Sequence, residues 1–391
     1  MTTAFEIFIT FLRLGLTSFG GPVAHLSYFH DEFVTRKKWL SEHAYADLVG
    51  LCQFLPGPAS SQVGMAIGLS RGGIVGSIAA WLGFTIPSAL IFVFFAYGIT
   101  HFTTSLSAGW LHGLKILAVA VVAQAVLNMS RKLCNTSSGA FLALASAVIM
   151  IVYPSTWMQI LVIFVGGLLG CLLFKKKDSV PHQLMKIPIS KSLSTYFLIV
   201  FIILIIALPM LSLHFDNNQV LHLFDSFFRV GSFVFGGGHV VLPLLQTEVV
   251  STGWISKDLF MAGYGLAQAI PGPLFTFSAY LGAISSVKPA GFLGAVICLV
   301  AVFLPSFLLI IGVLPFWEIL RKFPPMQSVL QGLNATVVGL LLAALYNPVW
   351  ISAIFNFKDF ILAASAFSLL VFLKLPSWAV AILCVTAGML I

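Results

Sequence analysis

Two short segments of this chain carry the same helix-breaking residues, "CQFLPGPASSQ" at 52–62 and "AQAIPGPLFTF" at 267–277. Proline removes a backbone donor and clashes with the preceding helical turn, while glycine adds backbone freedom. Both segments lie in long apolar runs, where a break exposed to lipid would leave backbone groups unpaired. One copy alone would suit a kink with a packing role. Two copies in register instead indicate a binding site near the middle of a membrane.

The order of residues after each break favours an anion as the ligand. Pro58 and Pro273 each suit the first position of a new half-helix, whose free N–H groups and positive dipole end attract negative charge. Extra donor side chains follow in the first turns, namely Ser60, Ser61, Gln62 and Thr276. Further breaks at "GGP" (20–22) and "GGGH" (236–239) add glycine N–H groups that can approach an oxyanion closely. Four broken segments therefore predict a site for one small dianion.

Two arginines near these breaks are candidates for counter-charge. Arg13 and Arg229 precede the glycine breaks of the two halves. An arginine inside a membrane marks either a functional site or a paired charge. The pairing alternative stays open, because Glu6 and Asp225 lie on the same helical faces as the two arginines.

Three other polar residues are candidates for the substrate pathway: Lys115, His25 and His239. Lys115 either lines the pathway or extends its amine toward the membrane surface. The two histidines follow the glycine breaks, and we interpret them as hydrogen-bonded polar side chains rather than as proton carriers.

The composition excludes an ordinary soluble protein. The chain is 59% hydrophobic and only 8% charged, with a mean hydropathy of +1.05, whereas soluble domains carry about a quarter charged residues. Apolar runs of about 20 residues recur along the whole chain and are long enough to cross a membrane as helices. An all-α integral membrane protein is therefore expected. The N-terminal stretch, with Glu6 and Arg13 inside it, is not expected to be a removable signal peptide.

The sequence offers no enzyme or nucleic-acid chemistry. It contains no GxxxxGK[ST], no HExxH and no nucleophile elbow, so neither an enzyme nor a cofactor is expected. The five cysteines show no CxxC spacing, which argues against a metal site. The net charge of +8 comes from bases spread thinly over loops, as in the cytoplasmic loops of membrane proteins, so no nucleic-acid partner is expected.

The chain is a duplicated unit. Segment 11–22, "FLRLGLTSFGGP", matches 227–238, "FFRVGSFVFGGG", and both are followed by a Trp-x-Ser and a Pro-Gly-Pro. Pro87-Ser88 then matches Pro305-Ser306, and the offset drifts by only a few residues. We predict a first transporter repeat at 1–174, a linker with a connector helix at 175–214, and a second transporter repeat at 215–391.

Apolar runs predict about thirteen membrane spans: 4–20, 46–70, 73–99, 109–128, 138–153, 157–174, 195–213, 220–238, 258–284, 290–316, 327–346, 359–373 and 376–391. Six spans, one connector and six spans predict two six-helix repeats of inverted topology with discontinuous helices. Outside the spans, twelve bases fall on one side and five on the other, which predicts a cytoplasmic N-terminus. A re-entrant 4–20 would change this topology.

Two groups of motifs carry a resemblance to a known family. The first comprises Phe-Gly-Gly-Pro (19–22), His25, Trp39, Leu-Pro-Gly-Pro (55–58) and Gln62, and the second comprises Phe-Gly-Gly-Gly (235–238) and Ile-Pro-Gly-Pro (270–273). In these residues the chain resembles the chromate ion transporter family, in its long two-domain form and over essentially its whole length. The resemblance implies an inner-membrane carrier that exports chromate, with sulfate as the similar physiological oxyanion.

The resemblance and the residue chemistry together define one set of candidate substrate-binding residues: Arg13, Gly20, Gly21, Pro22, His25, Pro56, Gly57, Pro58, Ser60, Ser61, Gln62, Lys115, Arg229, Gly236, Gly237, Gly238, His239, Pro271, Gly272, Pro273 and Thr276. The expected function is secondary transport of a tetrahedral oxyanion across a lipid bilayer. Two alternatives stay open: a carrier or channel for another small anion or solute, and a membrane-embedded enzyme acting on a lipid or phosphate substrate. The oligomeric state is also open, with a homodimer as one option.

Overall fold

The computed structural model describes residues 3–102, 109–174, 189–235, 238–321 and 324–390. Within these ranges the chain forms helices and no strands, so the predicted all-α class is confirmed. The first part of the predicted linker, residues 175–188, lies outside the described residues, and so do the candidate binding residues Gly236 and Gly237.

The first half of the chain contains these helices: α1 (Ala4–Thr17), α2 (Gly21–His30), α3 (Glu42–Phe54), α4 (Ala59–Phe102), α5 (Gly109–Leu133), α6 (Ser137–Val152) and α7 (Thr156–Leu173). The connector helix α8 (Lys191–His214) follows. The second half contains α9 (Gln219–Phe233), α10 (Val241–Val249), α11 (Lys257–Ala267), α12 (Phe277–Ile284), α13 (Gly291–Val313), α14 (Trp317–Arg321), α15 (Pro324–Ala344), α16 (Ile351–Ala353), α17 (Phe357–Val371) and α18 (Ser377–Gly388).

Both Pro-Gly-Pro segments interrupt a helical run, as the sequence predicts. The predicted span 46–70 is divided into α3 and the start of α4, and the predicted span 258–284 is divided into α11 and α12. Helix α4 also turns at Gly72 and Gly73, whose φ angles are −134° and +62°. The part of α4 that follows Pro58 is therefore a half-helix that ends at this turn.

The serine of the repeated Trp-x-Ser has a local structural role. Ser41 is the N-cap of α3, and its hydroxyl accepts a hydrogen bond from the backbone N–H of Ala44 (3.2 Å). Ser256 caps α11 in the same way, accepting from the N–H of Leu259 (3.4 Å). A serine in this position satisfies one of the unpaired N–H groups at a helix start. The repeat therefore fixes where the third helix of each half begins.

Among the residues that the structure describes, five helical stretches are long and apolar enough to cross a membrane: Ala59–Ile99, which contains the turn at Gly72 and Gly73, Gly109–Leu133, Lys191–His214, Gly291–Phe316 and Gln327–Ala353. Others are shorter, such as α1 with 14 residues and α18 with 12. At 1.5 Å per residue, 14 residues span about 21 Å, which is less than the roughly 30 Å hydrocarbon core. Several predicted spans are thus helices that are shorter than the hydrocarbon core is thick.

The two halves exchange helices in the last part of each repeat. Helix α5 of the first half packs against α17 and α18, while α15 of the second half packs against α6 and α7. Glycines allow both contacts, since a Cβ on Gly113 would meet the Cys384 carbonyl and a Cβ on Gly170 would meet the Ser328 carbonyl. Close approach through small residues is a common way for membrane helices to associate.

Candidate functional site

The two Pro-Gly-Pro breaks are joined to the opposite halves by backbone hydrogen bonds. Gly57 donates its N–H to the carbonyl of Val234 (2.7 Å), and Gly272 donates its N–H to the carbonyl of Ser18 (3.0 Å). Ser18 and Val234 occupy matching positions just before the Phe-Gly-Gly of each repeat. Each bond therefore connects the Pro-Gly-Pro of one half with the first break of the other.

Glycine is required at both positions. Gly57 and Gly272 have φ angles of +122° and +102°, which disfavour any residue with a side chain. A Cβ on Gly57 would lie 2.6 Å from Ser306 Oγ, and a Cβ on Gly272 would lie 2.8 Å from Ser88 Oγ. These serines belong to the repeated Pro-Ser pairs, again from the opposite half. The three repeated motifs of one half thus meet those of the other half at one reciprocal joint.

Some predicted donor side chains hold the breaks together. Gln62 Nε2 donates to the Pro56 carbonyl (2.7 Å), and Thr276 Oγ1 donates to the Pro273 carbonyl (2.6 Å). Both residues are fully buried. They close the turns around each Pro-Gly-Pro and so have a structural role, and the substrate-binding role that the sequence predicts for both residues stays a prediction.

A cluster of buried polar residues lies at the breaks of the first half. We call Ser18, His25, Ser60, Ser61 and Gln62 the central polar cluster. His25 Nδ1 lies 3.3 Å from Ser60 Oγ, and the Ser18 carbonyl lies near the same imidazole ring. Four of its atoms are buried without a hydrogen-bond partner among the described residues: Ser18 Oγ, His25 Nε2, Ser61 Oγ and Gln62 Oε1.

Such a concentration of unpaired polar atoms is unusual, because most buried polar groups have a partner. The matching positions of the second half are mainly apolar: Val234, Val241, Phe275, Thr276 and Phe277. The central polar cluster is therefore a property of the first half alone, and its unpaired hydroxyl and imidazole groups are available to a ligand or to water.

Two cavities adjoin these breaks. The first, of about 300 Å³, is lined by Pro22 and Gly57 together with Gln53, Lys132 and Asn334. The second, of about 560 Å³, is lined by Gly20, Gly21, His239 and Gly272 together with Gln124, Gln268 and Lys374. Each cavity has one lysine, and none of the described residues that line either cavity is acidic. Both cavities therefore favour a negatively charged solute.

The partition between the two cavities is thin. Gly21 and Pro22 are consecutive, yet they line different cavities. On α5, Gln124 lines the second cavity and Asn128 lines the first, and four residues correspond to about 6 Å of helix. The candidate residues that line a cavity are thus divided between two neighbouring compartments, with Pro22 and Gly57 in the first and Gly20, Gly21, His239 and Gly272 in the second.

The arginines do not line either cavity. Arg229 is held by two carboxylates: its Nε lies 3.1 Å from Asp225 Oδ2, and its two terminal nitrogens contact Glu248 at 3.0 and 3.1 Å. This is the paired-charge alternative that the sequence left open for Arg229. Arg13 is exposed on α1, and Glu6 instead contacts Lys37 Nζ (3.2 Å), so the expected proximity of Glu6 to Arg13 does not produce a pair.

Lys115 is also engaged elsewhere. Its Nζ lies 2.9 Å from Asp258 Oδ1 and over the Phe355 ring. It is absent from the described lining of both cavities. His239 Nδ1 lies 3.1 Å from the Tyr264 hydroxyl, which agrees with its interpretation as a hydrogen-bonded side chain at the second cavity.

Sequence reasoning missed the residues that give the cavities their charge. Lys132 lies in the last turn of α5, and Lys374 lies in the short turn between α17 and α18 with a φ of +53°. Both were counted only as loop charges. The glutamine that precedes each Pro-Gly-Pro by three residues was a usable signal, because Gln53 and Gln268 match in register and line the first and second cavities respectively.

Comparison with known proteins gives a consistent result. The sequence model of the chromate transporter family matches residues 5–171 and 221–389. An uncharacterized transporter of Methanocaldococcus jannaschii is 31% identical over 87% of this chain and 83% of its own length. A probable chromate transport protein of Synechococcus elongatus is 27% identical (85% and 81%), and a chromate transport protein of Pseudomonas aeruginosa is 26% identical (86% and 79%).

No solved structure matches the chain. The family match covers most of the sequence and occurs once in each half. Its members are transporters and not enzymes, and the apolar helices agree with a multi-pass membrane protein. The chain therefore belongs to the chromate transporter family.

Proposed function

We propose that this protein is a secondary carrier that moves chromate, with sulfate as a second substrate of the same shape and charge, and that it works in the direction of export. The relatives named as chromate transport proteins support the substrate. The composition of the cavities supports a negatively charged substrate, because each cavity contributes one lysine.

One observation carries the carrier mechanism. Gly21 and Pro22 line different cavities, so a small movement at the start of α2 exposes the same glycine backbone to one compartment or to the other. Ser18 and His25 of the central polar cluster flank Gly21 and Pro22 in the chain, and a rearrangement here would open the buried, unpaired hydroxyl and imidazole groups of the cluster, which line neither cavity as described, to a tetrahedral oxyanion. A carrier needs one site with alternating access, and a thin partition lined by donors meets that need.

We further propose that the two halves are inverted repeats with about thirteen membrane segments, placed in the inner membrane with the N-terminus in the cytoplasm. The reciprocal bonds Gly57–Val234 and Gly272–Ser18 support a twofold relation between the halves. Cysteine labelling of Lys38→Cys and Ser251→Cys, with Cys171 and Cys134 replaced, tests the orientation. Accessibility of both positions from the same side would contradict inversion.

The substrate is tested by counterflow in proteoliposomes. Vesicles loaded with unlabelled sulfate should transiently accumulate labelled sulfate or chromate against its gradient, because a carrier exchanges solute through one site. A channel would only equilibrate the label. Absence of counterflow with both anions would contradict the proposed function.

A further inference from the structure

Hydrogen-bond donors are concentrated in the second cavity. His239 and Lys374 line it, and so does Gln268, whose Nε2 is buried without a hydrogen-bond partner among the described residues. His239 lies beside the glycine break of the first half, since a Cβ on Gly21 would be 4.0 Å from its Nε2. None of the described lining residues is acidic. An oxyanion in this cavity would therefore meet donors on several sides.

Tyr264 determines which nitrogen of His239 carries the hydrogen. The tyrosine is completely buried, and the one hydrogen bond described for its hydroxyl is to His239 Nδ1 (3.1 Å). A buried hydroxyl proton without an acceptor is costly, so we assign Tyr264 as the donor and Nδ1 as the acceptor. In a neutral imidazole the other nitrogen then carries the hydrogen. His239 Nε2 is therefore a donor at the cavity.

A doubly protonated imidazole fits this setting less well. It would add a second positive charge to a cavity that contains Lys374 and no carboxylate among its described lining residues. Its Nδ1–H would also need the Tyr264 oxygen as acceptor, which would leave the tyrosine proton unpaired. The surroundings of His239 therefore stabilise the neutral form with hydrogen on Nε2.

The first half of the chain lacks both members of this pair. The positions that match His239 and Tyr264 are Val23 and Val49. The first half forms its glycine break and α3 without this hydrogen bond, so the pair is not a general requirement of the repeat. The presence of the two polar residues together, at a cavity and in one half only, points to a role toward a ligand.

We propose that His239, held by Tyr264 as a fixed Nε2–H donor, selects fully deprotonated tetrahedral dianions over hydrogen phosphate; this rests on the proposed function. Every oxygen of chromate or sulfate accepts hydrogen bonds, whereas hydrogen phosphate has one oxygen that carries a proton. His239 Nε2–H and the Lys374 ammonium can only donate. A ligand hydroxyl placed against either donor loses a hydrogen bond and is repelled.

The acceptors that remain in the cavity limit the size of this effect. Ser377 and Gln124 line it, and their described hydrogen bonds are donated to the carbonyls of Gln268 and Leu370. Their own oxygens are neutral and are therefore weaker acceptors than a carboxylate. We expect the Kd of hydrogen phosphate to exceed that of sulfate by roughly 10- to 100-fold, the effect of one hydrogen bond to a charged group.

The first test compares three dianions on the purified wild-type protein, with Kd taken from ligand-induced thermal stabilisation. The probes are sulfate, hydrogen phosphate and fluorophosphate, at a pH at which phosphate carries two charges. Fluorophosphate has the phosphorus centre and the charge of hydrogen phosphate, but fluorine replaces the hydroxyl group. Its Kd should lie close to that of sulfate, while hydrogen phosphate should bind more weakly.

The second test changes the pair itself. Tyr264→Phe keeps the ring that packs edge-on against Phe277 and frees His239 to exchange its tautomer. Sulfate should then bind nearly as in the wild type, and hydrogen phosphate should bind more tightly, so that their Kd ratio falls toward equality. His239→Val removes the donor and should raise the Kd of sulfate roughly 10- to 100-fold.

The matched control is Tyr280→Phe, which removes another buried tyrosine hydroxyl, one that donates to the Leu259 carbonyl (2.8 Å). This variant should keep the wild-type ratio of the two Kd values. A general loss of packing would shift both tyrosine variants alike, whereas the proposed role of Tyr264 changes the ratio in one of them.

Three outcomes would overturn the proposal. Equal Kd values for sulfate and hydrogen phosphate in the wild type would show no selection, and fluorophosphate that binds as weakly as hydrogen phosphate would assign selection to size. An unchanged ratio in Tyr264→Phe would show that the tyrosine does not fix the donor. If that variant fails to fold, the three wild-type Kd values and His239→Val decide. Absence of counterflow with sulfate and chromate refutes the proposed function, whereas sulfate counterflow without discrimination refutes this inference alone.

Discussion

The backbone N–H of Gly57 donates to the carbonyl of Val234 at 2.7 Å, so this N–H is not free to bind an anion. The sequence analysis places the glycines of both Pro-Gly-Pro segments among the candidate substrate-binding residues. In the structure, Gly57 and its counterpart Gly272 use these groups to join the halves. Substitutions at these glycines should therefore weaken the contact between the two halves first, and they should affect anion binding only as a consequence.

Alanine at Gly57 should destabilise the protein more than alanine at Gly73. Both positions have positive φ, which costs about 1 kcal/mol for a residue with a side chain. Gly73 faces open space, whereas a Cβ at Gly57 would lie 2.6 Å from Ser306 Oγ, and such overpacking adds about 1–3 kcal/mol. Thermal unfolding in detergent measures the difference. Equal unfolding temperatures for the two variants would contradict the close contact.

Removal of single hydroxyl groups from the central polar cluster should weaken binding without loss of stability. Ser18→Ala and Ser61→Ala each remove a hydroxyl donor that has no hydrogen-bond partner among the described residues. A hydrogen bond to a charged group contributes about 1.5–3 kcal/mol, which corresponds to roughly a 10- to 100-fold rise in Kd. Ligand-induced thermal stabilisation with graded sulfate or chromate gives Kd.

The matched control for these serines is Ser146→Ala, at a buried serine on α6 whose hydroxyl donates to the Leu142 carbonyl (2.7 Å). This variant should leave Kd unchanged. If Ser18→Ala and Ser61→Ala also leave Kd unchanged, the central polar cluster binds water rather than substrate.

Loss of either cavity lysine should raise the KM of transport. Lys374→Gln and Lys132→Gln each remove the one basic charge among the described lining residues of a cavity. The rise in KM should become smaller as ionic strength increases, because salt screens charges in water-filled spaces. Initial rates of vesicle uptake at two salt concentrations measure this. The control Lys358→Gln, at an exposed residue near the start of α17, should behave as wild type, and an equal effect there would assign the change to surface charge.

Arg229→Gln should be far more destabilising than Arg13→Gln. The first change leaves two buried carboxylates without their cation, and removal of one partner from a buried ion pair typically costs about 3–5 kcal/mol. Arg13 is exposed on α1, so its loss should hardly alter the unfolding temperature. The double variant Arg229→Gln with Asp225→Asn should recover part of the loss. If the Arg229→Gln protein is stable but binds the anion more weakly, Arg229 contributes to substrate binding instead of to stability.

Much of the helical architecture could be predicted because the controlling signals are local. Proline and glycine act on their own backbone, so both Pro-Gly-Pro breaks were predictable. The serines of the repeated Trp-x-Ser cap α3 and α11, and this local signal was not used to place the start of either helix. The apolar runs predicted helices throughout, although they gave no means to distinguish a full crossing from a short helix such as α18.

The composition of the site was only partly predictable, because it depends on packing between distant helices. Lys374 enters the second cavity because α17 ends beside Gln124 of α5, whose Nε2 donates to the Leu370 carbonyl (3.3 Å). No local pattern predicts this contact. Ser18 was passed over for a related reason, since its counterpart in the second half is Val234, and a comparison of the repeats emphasises the residues that match.

The exchange of helices between the halves has a consequence for assembly. Glycine faces on α5 and α7 are each covered by a helix of the other repeat, at Cys384 on α18 and Ser328 on α15. A polypeptide that carried one repeat alone would leave such a face bare, and it would become a complete unit only by joining a second copy. The covalent link through α8 turns this encounter between two chains into an intramolecular one, so the stability of the carrier does not depend on its concentration.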